Sequence, residues 1–291
     1  MKKLFITLGV IVVLFVMCVV FGCEKPALSG ENKSEGAKRT LRVNVFQIEN
    51  TPFEDLTRGA VGDVCTRLNF VVYDMTGTRL RQVNQTSDNE NFGSCSFQLE
   101  EGSYQLVVVG HSSGGNPTMT DPTCIKFTNS QGFSDTFLCN GNVTIGEEPV
   151  DFKVSLVRIA SLCRFVINDD IPAGITKMRF YYTGGSGAFD ASTGLGSVNS
   201  KQDVKFDVVS GQKQFDLYTF LHDVEGTIHL TVTALDGNGN ELYNRVFDVP
   251  MRQNQITWLS GDFFNGAGSS PSVVSTIDVD TDWNGETHLT F

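Results

Sequence analysis

Asp280-Thr281-Asp282-Trp283-Asn284-Gly285 sets side-chain oxygens at the first, third and fifth positions of a run that ends in glycine. That is how a calcium-binding loop begins. Its twelfth position, where such a loop needs a bidentate carboxylate, is Phe291, and no helical pattern flanks the run. Asp236, Asn238 and Asn240 repeat the partial pattern, and a polar hairpin accounts for them without a metal. Thr183-Gly184-Gly185-Ser186-Gly187 has the glycine content of a phosphate cradle but neither the lysine nor the helix start that gives one its anion field. A bulge or hairpin is the better reading. His111, His222, His229 and His288 are scattered without metal-ligand spacing, and His229 alternates with Thr231 and Thr233 on what reads as the wet face of a strand. No Gly-x-Ser-x-Gly elbow is present, and no cysteine has a histidine near it in sequence. The residues therefore point to no catalytic site, no metal and no cofactor, and the expectation is a protein that is not an enzyme.

The one residue with a clear chemical assignment is Cys23. Lys2 and Lys3 precede an apolar run from Leu4 to Val20, and the run ends Val20-Phe21-Gly22-Cys23. A basic start and an apolar segment of this length read as a secretion signal. A cysteine directly after a small residue at its end resembles the lipobox of bacterial lipoproteins, with Phe21 bulkier than the residue usual at that place. The resemblance implies cleavage after residue 22 and a lipid on the Cys23 sulfur. An uncleaved anchor helix is the competing reading, since the run approaches the length of a membrane span. Both tie the chain to a membrane at its N-terminus.

Removal of residues 1–22 takes Lys2 and Lys3, leaving 20 basic against 33 acidic residues and a net charge of about −13. Neither nucleic acid nor an anionic headgroup surface attracts such a chain. Of seven cysteines, Cys18 leaves with the signal and Cys23 takes the lipid. Cys65, Cys95, Cys124, Cys139 and Cys163 remain, enough for two disulfides at most and one thiol left over. Buried free thiols serving as small hydrophobes is the alternative reading.

The elements that position these residues read as strands. Residues 23–40 have almost nothing to bury and form a flexible tether. Leu41-Arg42-Val43-Asn44-Val45-Phe46 alternates as a first strand, and a polar loop from Glu49 to Gly62 follows. Strands are expected at 68–73, before an Asp74–Gly77 hairpin, and at 95–99 and 104–109 around a Glu100-Glu101-Gly102 turn. Ser134 to Cys139 is expected to make one helical turn. Later strands lie at 177–182, 204–208, 215–220, 228–234 and 243–247, the last two joined through Asp236–Asn240.

Val150, Phe152, Val154 and Leu156 are apolar at even positions, and Val157, Ile159, Cys163, Phe165 and Ile167 at odd ones. Strand side chains alternate with period two, so this parity change marks a move from one core to another near Arg158. Plentiful β-branched and aromatic residues, 29 glycines and the lack of long helical periods give an all-β protein. It reads as two tandem β-sandwiches, residues 41–157 and 158–291, with almost no linker.

Pro250-Met251-Arg252-Gln253-Asn254-Gln255-Ile256-Thr257-Trp258-Leu259-Ser260-Gly261-Asp262-Phe263-Phe264 resembles a strand-plus-glycine signature near the C-terminus of Bacteroidales fimbrial proteins. Val64 to Asp74, Leu156 to Ala160 and Phe180 to Gly185 agree with it. Together with the lipobox, these stretches resemble the anchor-like FimB/Mfa-type fimbrial subunit family of Bacteroidales lipoproteins, over nearly all the chain from about Leu41. The resemblance implies transthyretin-like sandwiches, anchoring in the outer membrane through the N-terminal lipid, and a surface role in fimbria assembly and adhesion. Its partners would be other fimbrial subunits, bound by strand exchange, in which main-chain hydrogen bonds give affinity and alternate side-chain pockets give specificity. In the stalk subunits of such fimbriae an arginine-specific protease removes the first strand. The candidate processing sites here are Arg58, in the loop after the first strand, and Arg39, in the tether. Anchor subunits keep that strand.

A second class of function is a glycan-binding surface lipoprotein of a nutrient-uptake system, which would expose Tyr181, Tyr182, Trp258 and Trp283. The segment from Val273 to Phe291 is expected to pair as a terminal strand rather than to serve a neighbour.

Overall fold

Alternation such as Leu41, Val43, Val45 presents one face of an extended segment to a core, and segments of this kind make up nearly all of the structure. It is a computed structural model that describes residues 37–48, 51–52, 58–128, 133–265, 272–274, 283 and 285–291. The earlier half runs β1 (Arg39–Ile48), β2 (Thr51–Pro52), α1 (Arg58–Val64), β3 (Arg67–Asp74), β4 (Arg79–Thr86), β5 (Ser94–Leu99), β6 (Gly102–His111), β7 (Ile125–Lys126), β8 (Thr136–Ile145) and β9 (Val150–Arg158). The later half runs β10 (Ser161–Ile167), β11 (Ile175–Gly185), β12 (Ala188–Phe189), β13 (Ser200–Asp207), β14 (Gln214–Thr219), β15 (Glu225–Asp236), β16 (Glu241–Arg252), β17 (Ile256–Gly261), β18 (Ser272–Val274) and β19 (Glu286–Thr290). Residues 37–291 form one compact unit.

In the earlier half the strand order is β2-β1-β9-β8-β6-β3-β4, with β5 also on β1. β9 joins two sheets: Leu156 and the residues before it pair with β1, whereas Val157 and Arg158 pair with Leu138 and Phe137 of β8. The later half is a sandwich of two sheets, β14-β10-β17-β19-β18 and β13-β11-β15-β16. Only the short β7–β12 ladder draws its strands from both halves among the described residues.

Three cores result. One lies within the earlier half around Leu41, Val43, Phe70, Val108 and Leu156. A second lies within the later sandwich around Phe165, Phe180, Leu230, Phe247 and Leu289. The third joins the halves and holds Val71, Tyr73, Val107, Val109, Phe127, Ile159, Phe189 and Phe220. Even positions of β3 and β6 feed the first core and odd positions the third, so this sheet is covered on both faces.

Four expectations need correction. β1 begins at Arg39, two residues inside the expected tether, because Arg39 and Thr40 already pair with Leu99 and Gln98. Arg58 opens the seven-residue helix α1 rather than lying in a loop, and Val61 of that helix is fully buried in the first core. Residues 136–139 are strand and not helical turn, since β8 pairs with β6 along its whole length. Val157 is 52% exposed, so the inward set changes parity at Ile159, two residues later than the apolar pattern implied.

The Pro250–Phe264 stretch resolves into a series of local requirements. Asn254 takes φ 55° in the turn between β16 and β17, a conformation asparagine tolerates, and its N–H donates to the carbonyl of Ala160 at 3.1 Å. Met251, Ile256 and Leu259 are buried, and the Thr257 hydroxyl donates to the Pro250 carbonyl. Past β17, the Asp169 carboxylate accepts the N–H groups of Phe263, Phe264 and Asn265 at 2.9, 2.7 and 2.7 Å.

Candidate functional site: the first strand and the aromatic face

β1 holds its place through side chains of one parity and a backbone bonded on both sides. Leu41, Val43 and Val45 are wholly buried, and Ile48 is nearly so. A register shift between Val45 and Gln47 explains why the inward series then skips to Ile48. β1 runs parallel to β9, with Leu41 opposite Val150 and Val43 opposite Phe152, and antiparallel to β5, with Val43 opposite Cys95. Its polar side makes lighter contacts: Arg42 meets Asp151 at 3.3 Å, and Gln98 donates to the Thr40 hydroxyl at 2.9 Å. Taking β1 away would expose one edge each of β9 and β5 and four apolar sockets between them. Such a groove binds an extended segment by main-chain hydrogen bonds, and alternate sockets select its side chains.

Of the candidate processing residues, Arg39 lies in this strand and Arg58 follows it in the chain. Cys23 and all of residues 1–36 lie outside the described residues. Arg39 is inside the β1 ladder, and its guanidinium donates to the Glu147 carbonyl at 2.5 Å. Arg58 follows β2, so a cut there would divide both β1 and β2 from everything else. Among the described residues no helix is long and apolar enough to cross a membrane.

The titratable groups are engaged locally. Asp236 accepts from the amides of Asn238 and Asn240 at 2.8 Å each and from the Asn240 side chain at 2.9 Å, and these bonds, the last foremost, hold its carboxyl below the usual range. This is a hairpin turn closing on its own first residue. Of the Asp280–Gly285 run only Trp283 and Gly285 are described. No group of three His, Cys, Asp or Glu among the described residues is placed to hold a metal. Thr183–Gly187 ends β11 in a bulge, and Gly184, at φ +90°, lies so close to the Thr227 carbonyl that a Cβ would collide with it. All five described cysteines are free thiols. Burial pushes Cys65, Cys95 and Cys163 up to about 12, so they behave as small hydrophobes.

The aromatic candidates for a sugar platform are committed elsewhere. Tyr182 is 1% exposed and its hydroxyl donates to the Tyr218 carbonyl at 2.8 Å. Trp258 sits in a row across neighbouring strands, where Arg164 lies over its ring at 4.8 Å and His288 stacks on it at 5.6 Å with 5° between planes. Its indole N–H donates to Glu286 at 3.0 Å. Trp283 stacks on the guanidinium of Arg158 at 4.1 Å. Tyr181 is half-buried, between the inward Phe180 and Tyr182 along β11.

Sequence reading missed the face of β3 and β6 that meets the later half. The signal was present: Phe70-Val71-Val72-Tyr73 and Leu106-Val107-Val108-Val109 are continuous apolar runs, as strands covered on both faces require.

The fold defines an all-β protein built of several sheets. The chain belongs to the family described as "Family of unknown function (DUF6562)", whose model matches residues 35–290. No curated protein matches it. Among solved structures, its fold is like that of a candidate adhesin from Bacteroides ovatus ATCC 8483, at 12% identity and TM-score 0.50 over 74% of this chain and 83% of that one. Similar structures also include a candidate cell adhesion protein from the same strain, at 12% identity and TM-score 0.45 over 80% and 95% of the two chains. The fimbrial anchor protein Mfa2 from Porphyromonas gingivalis matches at 15% identity and TM-score 0.43 over 72% and 82%.

Proposed function

We propose that this chain is a fimbrial anchor or accessory subunit, tethered to the outer membrane by lipid on Cys23, that takes part in fimbria assembly and adhesion by strand exchange. The observation that carries the reading is β1: a strand joined directly to the tether, buried through Leu41, Val43, Val45 and Ile48 and bonded to both β9 and β5. A strand so placed transmits tension from the membrane into a sheet through a row of hydrogen bonds loaded together. Retained, it makes this subunit a fixed end. Removed by a cut at Arg58, it leaves the sandwich without a membrane link and with a groove to fill. A cut at Arg39 would sever the tether and leave most of β1 in place. The resemblance of Pro250–Phe264 and of the lipobox to fimbrial anchor proteins supports the same reading, as does the likeness of the fold to a candidate adhesin. On this account residues 41–157 and 158–291 act as two sandwiches pressed together across the shared core of Tyr73, Phe127, Phe189 and Phe220.

The test is deletion of the gene in its own cells. The expected result is a change in fimbria length, in release of fimbriae into the medium and in adhesion, restored by the intact gene. Unchanged fimbriae, together with selective binding of this protein to a glycan array, would overturn the proposal in favour of a glycan-binding lipoprotein.

A further inference from the structure

His111 ends β6 on the face that meets the later half, and it is fully buried. Its hydrogen bonds fix both its charge and its tautomer. The Ser113 N–H donates to Nδ1 at 3.1 Å, which makes Nδ1 an acceptor. Nε2 lies 2.9 Å from Oδ1 of Asn69. The Asn69 amide is itself oriented, because its Nδ2 donates to the side-chain oxygens of Asn84 at 2.9 Å and Asn116 at 3.1 Å. Its Oδ1 must therefore accept, and Nε2 must carry the proton. The ring is neutral, with a bond at each nitrogen and no room in the pattern for a second proton.

Around it, the 112–116 loop is held by Ser112 N–H donating to the Ser134 hydroxyl at 2.8 Å, by the Ser113 and Ser134 hydroxyls at 3.0 Å, and by Arg67 reaching the Gly114 carbonyl at 3.4 Å. The ring meets Phe127 in a T-shaped contact, centroids 5.0 Å apart. Phe127 belongs to the seam between the halves: its N–H donates to the Gly187 carbonyl at 3.0 Å, and its ring lies 6.0 Å from Phe220 and 6.4 Å from Phe189.

We propose that His111 is an acid-sensitive pin of this seam: a proton on Nδ1 turns the acceptor for Ser113 into a second donor, frees the 112–116 loop and unseats Phe127 from the later half. The charged and titratable groups near it offer no compensation. Arg67, beside it on β3, disfavours a second positive charge. Asp135, on the approach to β8, is already held by Arg158 at the end of β9, Nε to the two oxygens at 2.8 and 2.9 Å. The Cys65 thiol is neutral, pushed up to about 12 by burial, and from the later half the neutral phenol of Tyr218 faces the same core. Burial first, and Arg67 second, lower His111 to about 4. A histidine with a lowered folded value contributes stability that is fully present above its unfolded value near 6.5 and is lost as pH falls towards 4. Between pH 7.5 and 5 the closed state of the seam should weaken about 30-fold.

The test uses the intact mature chain. Amide exchange, corrected for its intrinsic pH dependence, is read at Ser113, Phe127 and Gly187, with Leu230 in the later core as control. Opening at the first three sites should rise about 30-fold from pH 7.5 to 5 and should not rise in H111Q. Nuclear magnetic resonance of the imidazoles, with His222, His229 and His288 as internal references, should show His111 neutral with its proton on Nε2 down to pH 5. A flat exchange profile in the natural chain, a His111 that titrates near 6.5, or a proton on Nδ1 would each overturn the proposal, whether or not H111Q folds.

Discussion

β1 and β19 sit near opposite ends of the chain, and each lies parallel to one neighbour and antiparallel to another: β9 and β5 for the first, β17 and β18 for the last. Their holds differ in kind. β1 runs for ten residues and sends four buried aliphatic side chains into its core, whereas β19 runs for five and buries Leu289. The end of the chain is secured instead by Phe291, whose ring stacks on Phe165 at 5.3 Å and lies 4.6 Å from Phe247. Losing the last strand removes a short ladder and a few contacts. Losing the first removes a ten-residue ladder and four buried side chains of the first core. The contrast explains why a cut at Arg58 and a frayed C-terminus would have such different consequences.

Substitution can break that contrast or sharpen it. Val43→Asp places an uncompensated charge at a fully buried site between β9 and β5. It should cost about 4 kcal/mol or more and disrupt the earlier half, as read by denaturant unfolding of the mature chain. Leu289→Ala should cost about 2–4 kcal/mol. In that variant amide protection should fall first around β17 and β18, with β1 unaffected. Equal losses of protection in β1 for both variants would show that the two ends are held alike.

Strand positions were readable wherever one face is wet. Val43 and Val45, Phe97 and Leu99, and Leu230 and Val232 alternate with polar residues, and the hairpins at Asp74–Gly77 and Asp236–Asn240 carry their turn chemistry locally. What escaped depends on contacts distant in sequence. Val157 looks like a core residue by type, yet β9 crosses from β1 to β8 at that point and leaves it outward. Ser134 to Cys139 reads locally as a helical turn, and the ten-pair ladder with β6 makes residues 136–139 strand instead. Arg58 begins a helix because Val61 and Cys65 find a pocket in the first core, a fact of packing rather than of pattern. The candidate site was legible in part: β1 could be located from Leu41 on, but that Arg39 and Thr40 belong to it, and that it is interior, follow from its partners, residues 94–99 and 150–156. Trp258 and Tyr182 look like binding aromatics in a sequence and are occupied by Arg164, His288 and Tyr218 in the fold.

A fixed anchor requires that lipid, tether and first strand remain one unbroken chain. Mass spectrometry of the N-terminus, on native protein purified from outer-membrane fractions, tests it most directly. The expected chain starts at Cys23 with acyl groups attached and retains residues 39–48. A chain that starts after Arg39 or after Arg58, without lipid, would contradict it.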